Sequence, residues 1–348
     1  MRPVRILVAG AGALGSCLAV MLARAGARVT LADPGSLGAN ASGAAAGMLA
    51  PAFESLFDPQ APDLDLLRRA RDLWPQFARS IGVTLDRSGA MAVGSPEELD
   101  AWEGRMRDLG VAAARLSPGQ ARGRSPWLTC GLGGLSTLED WRVDAADALA
   151  ALRAAAQGEG VRMIAAAVSS FDAGRARLSN GEIVVVDAMA IATGPSRSLI
   201  AAAPELGVLT PIKGHILRAT GVDLAGPVVR VKGGYICPAA GGALIGATME
   251  VGEDDAAIDP AAVSSLRKMA AGVLAGMADA LMVAASGVRA ATPDGLPLAG
   301  PSRRDGVWLA VGARRNGWLM APLVAQGLVG GMLGGSADPL FNPGRFGI

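Results

Sequence analysis

Histidine, tyrosine and cysteine are nearly missing from this chain. Its 348 residues include one His (His215), one Tyr (Tyr235) and three Cys (Cys17, Cys130 and Cys237). The cysteines stand singly, with no C-x-x-C. That excludes the common zinc spacings and leaves no basis for a disulfide framework, so no metal site is expected. Lone thiols suit a reducing compartment, and the expected location is cytoplasmic. A surplus of one charge is lacking too: 32 basic side chains face 31 acidic ones. Nothing is left over to neutralise phosphates, so nucleic acid is not an expected partner. Charged residues make up only 18% of the chain and hydrophobic ones 51%, which is unlike a disordered protein. At about 100–200 residues per domain the length suggests two domains, enough core to need no staple.

Long uncharged runs are present, and two of them imitate membrane segments. Ile6–Ala23 follows Arg2 and Arg5, like the basic start and apolar stretch of a signal peptide. Gly10, Gly12 and Gly15 interrupt it, where a turn makes better sense than a spanning helix. Asn316–Ser336 also carries no charge, and its length reaches the spanning limit. No basic flank or aromatic belt accompanies it, so a buried helix is expected and no stable membrane insertion.

The first run reads as a dinucleotide-binding unit. Val4–Ala9 is a buried strand, GAGALG follows at 10–15, and Ser16–Ala25 is a helix stopped by Gly26. Arg28–Ala32 is a second strand, ending at Asp33. Gly10 allows the tight turn, Gly12 lets backbone approach a pyrophosphate, and Gly15 lets helix and strand pack closely. Ala13 and Leu14 complete the cofactor turn, and the helix N-terminus beyond it offers free N–H groups and a positive dipole end to phosphate. Asp33 can accept hydrogen bonds from a ribose diol. The spacing does not separate NAD from FAD, but an acid at position 33 disfavours the 2′-phosphate of NADP.

Residues 40–51 read NASGAAAGMLAP, a small-residue segment that would let backbone lie against a flat ring system. Here the sequence resembles the glycine oxidase branch of the D-amino-acid oxidase family of flavoenzymes. Ser42, Ala44, Ala45, Ala46, Gly47, Met48, Leu49, Ala50 and Pro51 fit that branch closely. The strand Ile183–Val186, leading through Asp187–Ile191 to Ala192, Thr193 and Gly194, resembles the family's second cofactor segment. Thr210–Leu217 (TPIKGHIL) is similar to its Pro-x-Lys-Gly-Gln stretch, with His215 replacing Gln. Gly234–Pro238 and Leu244–Met249 resemble its substrate-domain hairpin. Gly287–Gly300 (GVRAATPDGLPLAG) and Gly312–Pro322 (GARRNGWLMAP) resemble its two C-terminal motifs.

The resemblance implies an α/β chain. It would have a discontinuous Rossmann-like FAD domain, mostly a parallel sheet with helices, from 1–80, 140–208 and 285–348. An antiparallel-sheet α+β substrate domain would come from 81–139 and 209–284. Short strand-like runs between Gly and Pro at 206–250 fit the second part. Ala145–Gly158, capped by Asp144, and a strand at 161–167 read as a further α-β step.

The implied reaction moves a hydride from the α-carbon of a small amino acid to the flavin. The cofactor then carries the difficult chemistry, so a shortage of His is no objection. Arg289 falls on the family's carboxylate-binding Arg, and a guanidinium can clamp a carboxylate with two parallel hydrogen bonds. The plainer reading pairs Arg289 with Asp294 in the same loop. Tyr235 falls on an active-site Tyr, and Met249 would be a soft wall beside the substrate. Gly312, Arg314, Arg315, Asn316, Gly317 and Trp318 form the C-terminal cofactor loop and open the last helix. Ala313 replaces a family His in this loop, and Gly233 stands where the family has a polar residue, so a roomier, less polar pocket is expected. His215 reads as structural rather than as a base.

The expected activity is oxidative deamination of glycine, sarcosine or small D-amino acids, which by resemblance would supply a glycine imine for thiamine thiazole synthesis. A D-proline or related imino-acid dehydrogenase is the alternative, and a non-catalytic nucleotide sensor is the alternative of another class. Molecular oxygen or another acceptor would reoxidise the flavin, and the family implies a homo-oligomer.

Overall fold

The structure, a computed structural model, describes residues 2–222, 224–274 and 280–347. Its central element is the strand Arg5–Ala9. Ile6 and Val8 enter one core while Leu7 and Ala9 enter another, the alternation that a strand imposes. Burial on both faces explains why the run is continuously apolar. This strand sits inside a six-stranded sheet in the order Leu298–Pro301, Val307–Val311, Ala188–Ile191, Arg5–Ala9, Arg28–Ala32, Arg162–Ile164. All neighbours are parallel except the first pair. Chain order reverses at Arg5–Ala9, and the crevice beyond the strand ends at such a switch point is where open α/β sheets bind ligands.

Helices cover one face. Ala13–Arg24 packs on the last helix, Gly317–Met332, and on Ala145–Gly158, which Asp144 caps as expected. The first helix begins at Ala13, three residues before the expected Ser16, because Ser42 Oγ accepts the Ala13 N–H at 3.0 Å from across the fold. The uncharged run at the C-terminus is a 16-residue helix, and no helix among the described residues is long and apolar enough to cross a membrane.

The other face carries an antiparallel meander of Val168–Asp172, Arg175–Leu178 and Ile183–Val185. The segment read as one strand from Ile183 into the Ala-Thr-Gly turn is therefore two elements. Ile183–Val185 closes the meander, while Ala188–Ile191 is a fully buried parallel strand. Asp187 makes the break: its carboxylate accepts the Arg5 backbone N–H at 2.8 Å and an Arg5 guanidinium N–H at 2.7 Å. The strand expected at 161–167 stops at Ile164, whose carbonyl takes the N–H of Ala166 in a tight turn.

A nine-stranded, mostly antiparallel sheet forms the second body. Its long pair, Thr210–Thr220 and Leu281–Ala291, runs in register from Thr210 opposite Ala291 to Thr220 opposite Leu281. Alternation again sorts the side chains. Leu217, Ile236 and Ile245 face the helix Pro260–Ala271, whereas Ile216, Tyr235 and Leu244 face Ala46 and Phe53. One step of register would turn Tyr235 away from the cofactor segment.

Candidate active site

The glycine-rich turn is sterically committed. A Cβ on Gly15 would lie 2.0 Å from the Gly10 carbonyl oxygen, and one on Gly10, at φ +109°, would lie 2.3 Å from that of Ala192. Asp33 ends the next strand and already serves this turn. Its carboxylate accepts the N–H of Ala11 at 2.7 Å and of Gly35 at 2.8 Å. Thr193 and Gly194 leave the neighbouring strand on the other side, so the expected phosphate and ribose groups share one edge of the sheet. A Cβ on Gly194 or on Gly317 would meet no protein atom within 4 Å, so backbone at both turns lies open to a ligand.

A cavity of about 440 Å³ lies between the nine-stranded sheet and the segments Ala41–Met48 and Arg315–Trp318. Ala45, Ala46, Gly47 and Met48 form one wall, and Arg315, Asn316 and Trp318 adjoin them. Trp318 Nε1 donates to the Ser42 carbonyl at 3.0 Å and locks the C-terminal loop onto the small-residue segment. Gly47 must be glycine: its φ is +67° and a Cβ would lie 2.0 Å from the Val143 oxygen. Tyr235, Met249 and Arg289 form the facing wall. Three groups inferred from separate motifs thus meet in one space.

Arg289 is the distinctive group. It is half-buried, and among the described residues no carboxylate lies within ion-pair distance of it. Asp294 is taken by Arg345, at 2.7 Å and 3.0 Å, which overturns the plainer loop pairing. What remains to Arg289 is the Thr248 carbonyl at 3.4 Å and Met249 Sδ at 3.6 Å. Burial, reinforced by Arg315, pulls its pKa below the ordinary arginine value. Gly214 makes room for it, since a Cβ there would lie 2.3 Å from a guanidinium nitrogen. Burial pushes the Tyr235 hydroxyl up to about 12, so it remains a hydrogen-bond donor at neutral pH. That hydroxyl lies over Gly246, where a Cβ would approach it to 2.7 Å, and it bonds to no described residue.

A buried ionic cluster, which sequence reasoning missed, backs the site. Glu54, on the helix Pro51–Phe57, meets Arg230 at 2.8 Å and Arg315 at 3.4 Å. Burial alone would raise the Glu54 carboxyl, but Arg315, Arg230 and Arg314 hold it below the usual range. Arg314, expected at the cofactor, does not line the cavity. It ion-pairs with Asp58. Asp140 accepts the N–H groups of Ala52 and Phe53 at 2.8 Å and 3.1 Å, and its burial raises its pKa to about 7. The available signal was an isolated charge in each of two apolar runs, PAFESLF and VVRV. His215 is fully buried outside the cavity: Nε2 accepts the Asp259 N–H at 3.0 Å, so Nδ1 carries the proton and donates to Glu250 at 2.9 Å.

A strand–turn–helix at a switch point, followed by a small-residue wall and a cationic cavity, defines a flavin-type dinucleotide enzyme. The model of the family described as FAD dependent oxidoreductase (DAO) matches residues 5–329, and the chain belongs to that family. It is 30% identical over 345 residues to the glycine oxidase of Geobacillus kaustophilus, covering 91% of this chain and 90% of that one. It is 32% identical to a Rhizobium etli protein named as a candidate thiamine biosynthesis oxidoreductase, ThiO, covering 92% and 94%. The crystal structure of glycine oxidase from Geobacillus kaustophilus superposes with a TM-score of 0.86 at 28% identity, covering 98% of this chain and 99% of that one.

Proposed function

We propose that this protein oxidises the carbon–nitrogen bond of amino acids such as glycine, sarcosine or small D-amino acids, with its carboxylate held by Arg289 and Tyr235. The observation that carries the reading is Arg289 itself. A guanidinium taken out of water without a counter-charge is costly, and a substrate carboxylate supplies the missing partner. The Tyr235 hydroxyl, which bonds to no described residue, would donate a further hydrogen bond to the same group. Met249 restricts the space beside Arg289, which helps fix the α-carbon.

The described residues fit an FAD. Gly10, Gly12, Ala13, Leu14, Gly15, Asp33, Thr193 and Gly194 would hold its adenosine and phosphate end. Ser42, whose Oγ accepts the Ala13 N–H at the head of the first helix, would join them, and Ala45–Met48, Gly312 and Arg315–Trp318 would hold its ring end. The bound flavin supplies the acceptor for two electrons from the substrate carbon–nitrogen bond. Arg315 places positive charge at the ring end, where charge accumulates on reduction. Arg314 would act from behind, by keeping Asp58 neutralised.

The division into an FAD domain (1–80, 140–208 and 285–348) and a substrate domain (81–139 and 209–284) belongs to the same reading. In its support, the parallel sheet draws strands from 5–32, 162–191 and 298–311. The strand Leu281–Ala291, which carries Arg289, pairs along its whole length with Thr210–Thr220 in the other sheet. A cytoplasmic location, oxygen or another acceptor, assembly with further copies and a role in thiazole synthesis are proposed with it. The kinship with glycine oxidase and the ThiO-named protein supports that role.

The test is a substrate panel of glycine, sarcosine, D-alanine and D-proline with the yellow holoenzyme. It is scored for flavin bleaching without oxygen and for peroxide with it. Bleaching by one or more members is the expected result. A colourless protein that takes up no FAD, or a flavin that no amino acid reduces, refutes the reading.

A further inference from the structure

The cavity does not end at Arg289 and Tyr235. It continues to a second set of walls made by Phe57, Trp102, Val231 and Gly233. Phe57 and Trp102 are both half-buried, so each leaves apolar surface facing outward from a packed position. They are rigidly held. Phe53 stacks on Phe57 at 5.6 Å, and Phe57 meets Trp102 edge-to-face at 5.1 Å. Trp102 lies so close to Gly94 that a Cβ there would come within 2.8 Å of its ring. Gly233 also borders the cavity; it is exposed, has φ +89°, and a Cβ on it would meet nothing within 4 Å. The turn that leads into Tyr235 thus carries no side chain at this end of the cavity and leaves its mouth open.

The polar groups at this end are committed or at the rim. Glu98 accepts the Ser95 N–H at 2.9 Å in its helix capping box, and Lys232 is exposed. Glycine needs no such shelf. A pre-ordered aromatic surface beside a carboxylate clamp suits a ligand with an acid at one end and an apolar ring at the other.

Building on the carboxylate-binding reading, we propose that Phe57 and Trp102 are specificity-determining residues. They select amino acids that carry a ring-sized apolar substituent on the nitrogen or the α-carbon. The carboxylate stays on Arg289, and the substituent lies against Phe57 and Trp102 in the same cavity.

Steady-state kinetics of the holoenzyme with glycine, sarcosine, N-benzylglycine and D-phenylalanine test this, the last two arms separating the two attachment points. One ring-bearing substrate should exceed glycine in kcat/KM by roughly tenfold or more, the scale of one good aromatic contact. Trp102→Ala should erase that advantage, mainly through KM, so that kcat/KM falls by a larger factor for the ring-bearing substrate than for glycine. Phenylacetate should perturb the flavin spectrum of the wild type at concentrations where acetate does not, and Trp102→Ala should remove that difference. The binding readout needs no turnover, so it survives a slow variant. Phe57→Leu, which keeps an apolar filler beneath Trp102, should act in the same direction.

A wild-type preference for glycine or sarcosine overturns the proposal but leaves the oxidase reading intact. Equal loss on all substrates in Trp102→Ala also overturns it. So does a preference for iminodiacetate over N-benzylglycine, which would move the determinant to Lys232. Failure of every amino acid to bleach the flavin removes the underlying reading as well.

Discussion

Replacing Arg289 by methionine separates a functional arginine from a structural one. Methionine keeps an unbranched apolar stem, shorter than arginine, and removes the guanidinium with its charge. In the folded protein the guanidinium has no carboxylate partner among the described residues and only a 3.4 Å contact to the Thr248 carbonyl. An uncompensated ion in a protein interior costs several kcal/mol, so its removal should be neutral or stabilising by about 1–2 kcal/mol. For a chain of this size that is a rise in melting temperature of at most about 2–4 °C per kcal/mol. Binding moves the other way. Losing a desolvated, hydrogen-bonded charge partner costs about 2–5 kcal/mol, roughly thirtyfold to several-thousandfold in kcat/KM. The assay pairs a thermal melt of the substrate-free holoenzyme with initial rates on its best amino acid. A melting temperature lowered by more than about 5 °C with kinetics unchanged would refute the reasoning and make Arg289 a structural pin.

Three other perturbations probe separate parts of the same argument. Gly214→Ala places a Cβ 2.3 Å from an Arg289 nitrogen, the movable end of a long side chain. It should raise KM while leaving the melting temperature within about 2 °C. Gly15→Ala instead drives a Cβ to 2.0 Å from the Gly10 carbonyl, which is backbone and cannot yield cheaply. The variant should purify without flavin colour, and a normally yellow Gly15→Ala protein would show that the turn is not a cofactor cradle. Asp140 makes a pH prediction. Its folded pKa of about 7 lies above the ordinary carboxylate value, so the folded state binds the proton more tightly. Stability should therefore fall as pH rises from about 4 to about 7 and stay level above that. Urea midpoints at pH 5 and pH 8 should show wild type losing roughly 3 kcal/mol more than Asp140→Asn, two pKa units at about 1.36 kcal/mol each. Parallel pH profiles would mean that Asp140 does not titrate there.

What could be read from the chain divides along a physical line. The parallel sheet core was legible because its determinants are local: the run Arg5–Ala9, glycines at fixed offsets, and Asp33 at the next strand end. The break at Asp187 was not, because IVVV looks the same in a meander as in a parallel strand. What divides it is an ion pair with Arg5, 182 residues away in sequence. The cavity walls at Ala45–Met48 and at Tyr235, Met249 and Arg289 were legible through their motifs, and the Phe57 and Trp102 wall was not. That Arg289 lacks a partner was not, because it depends on Arg345 claiming Asp294 from the far end of the chain. Glu54 and Arg230 show the same limit from the other side. Each is one charge in an apolar run, and each alone looks like an error of patterning. Across 176 residues they form a buried pair at 2.8 Å, and Arg315 at 3.4 Å ties that pair to the cofactor loop. A lone charge in a buried run is therefore a reason to look for its opposite in another run, because burying either one alone would cost several kcal/mol.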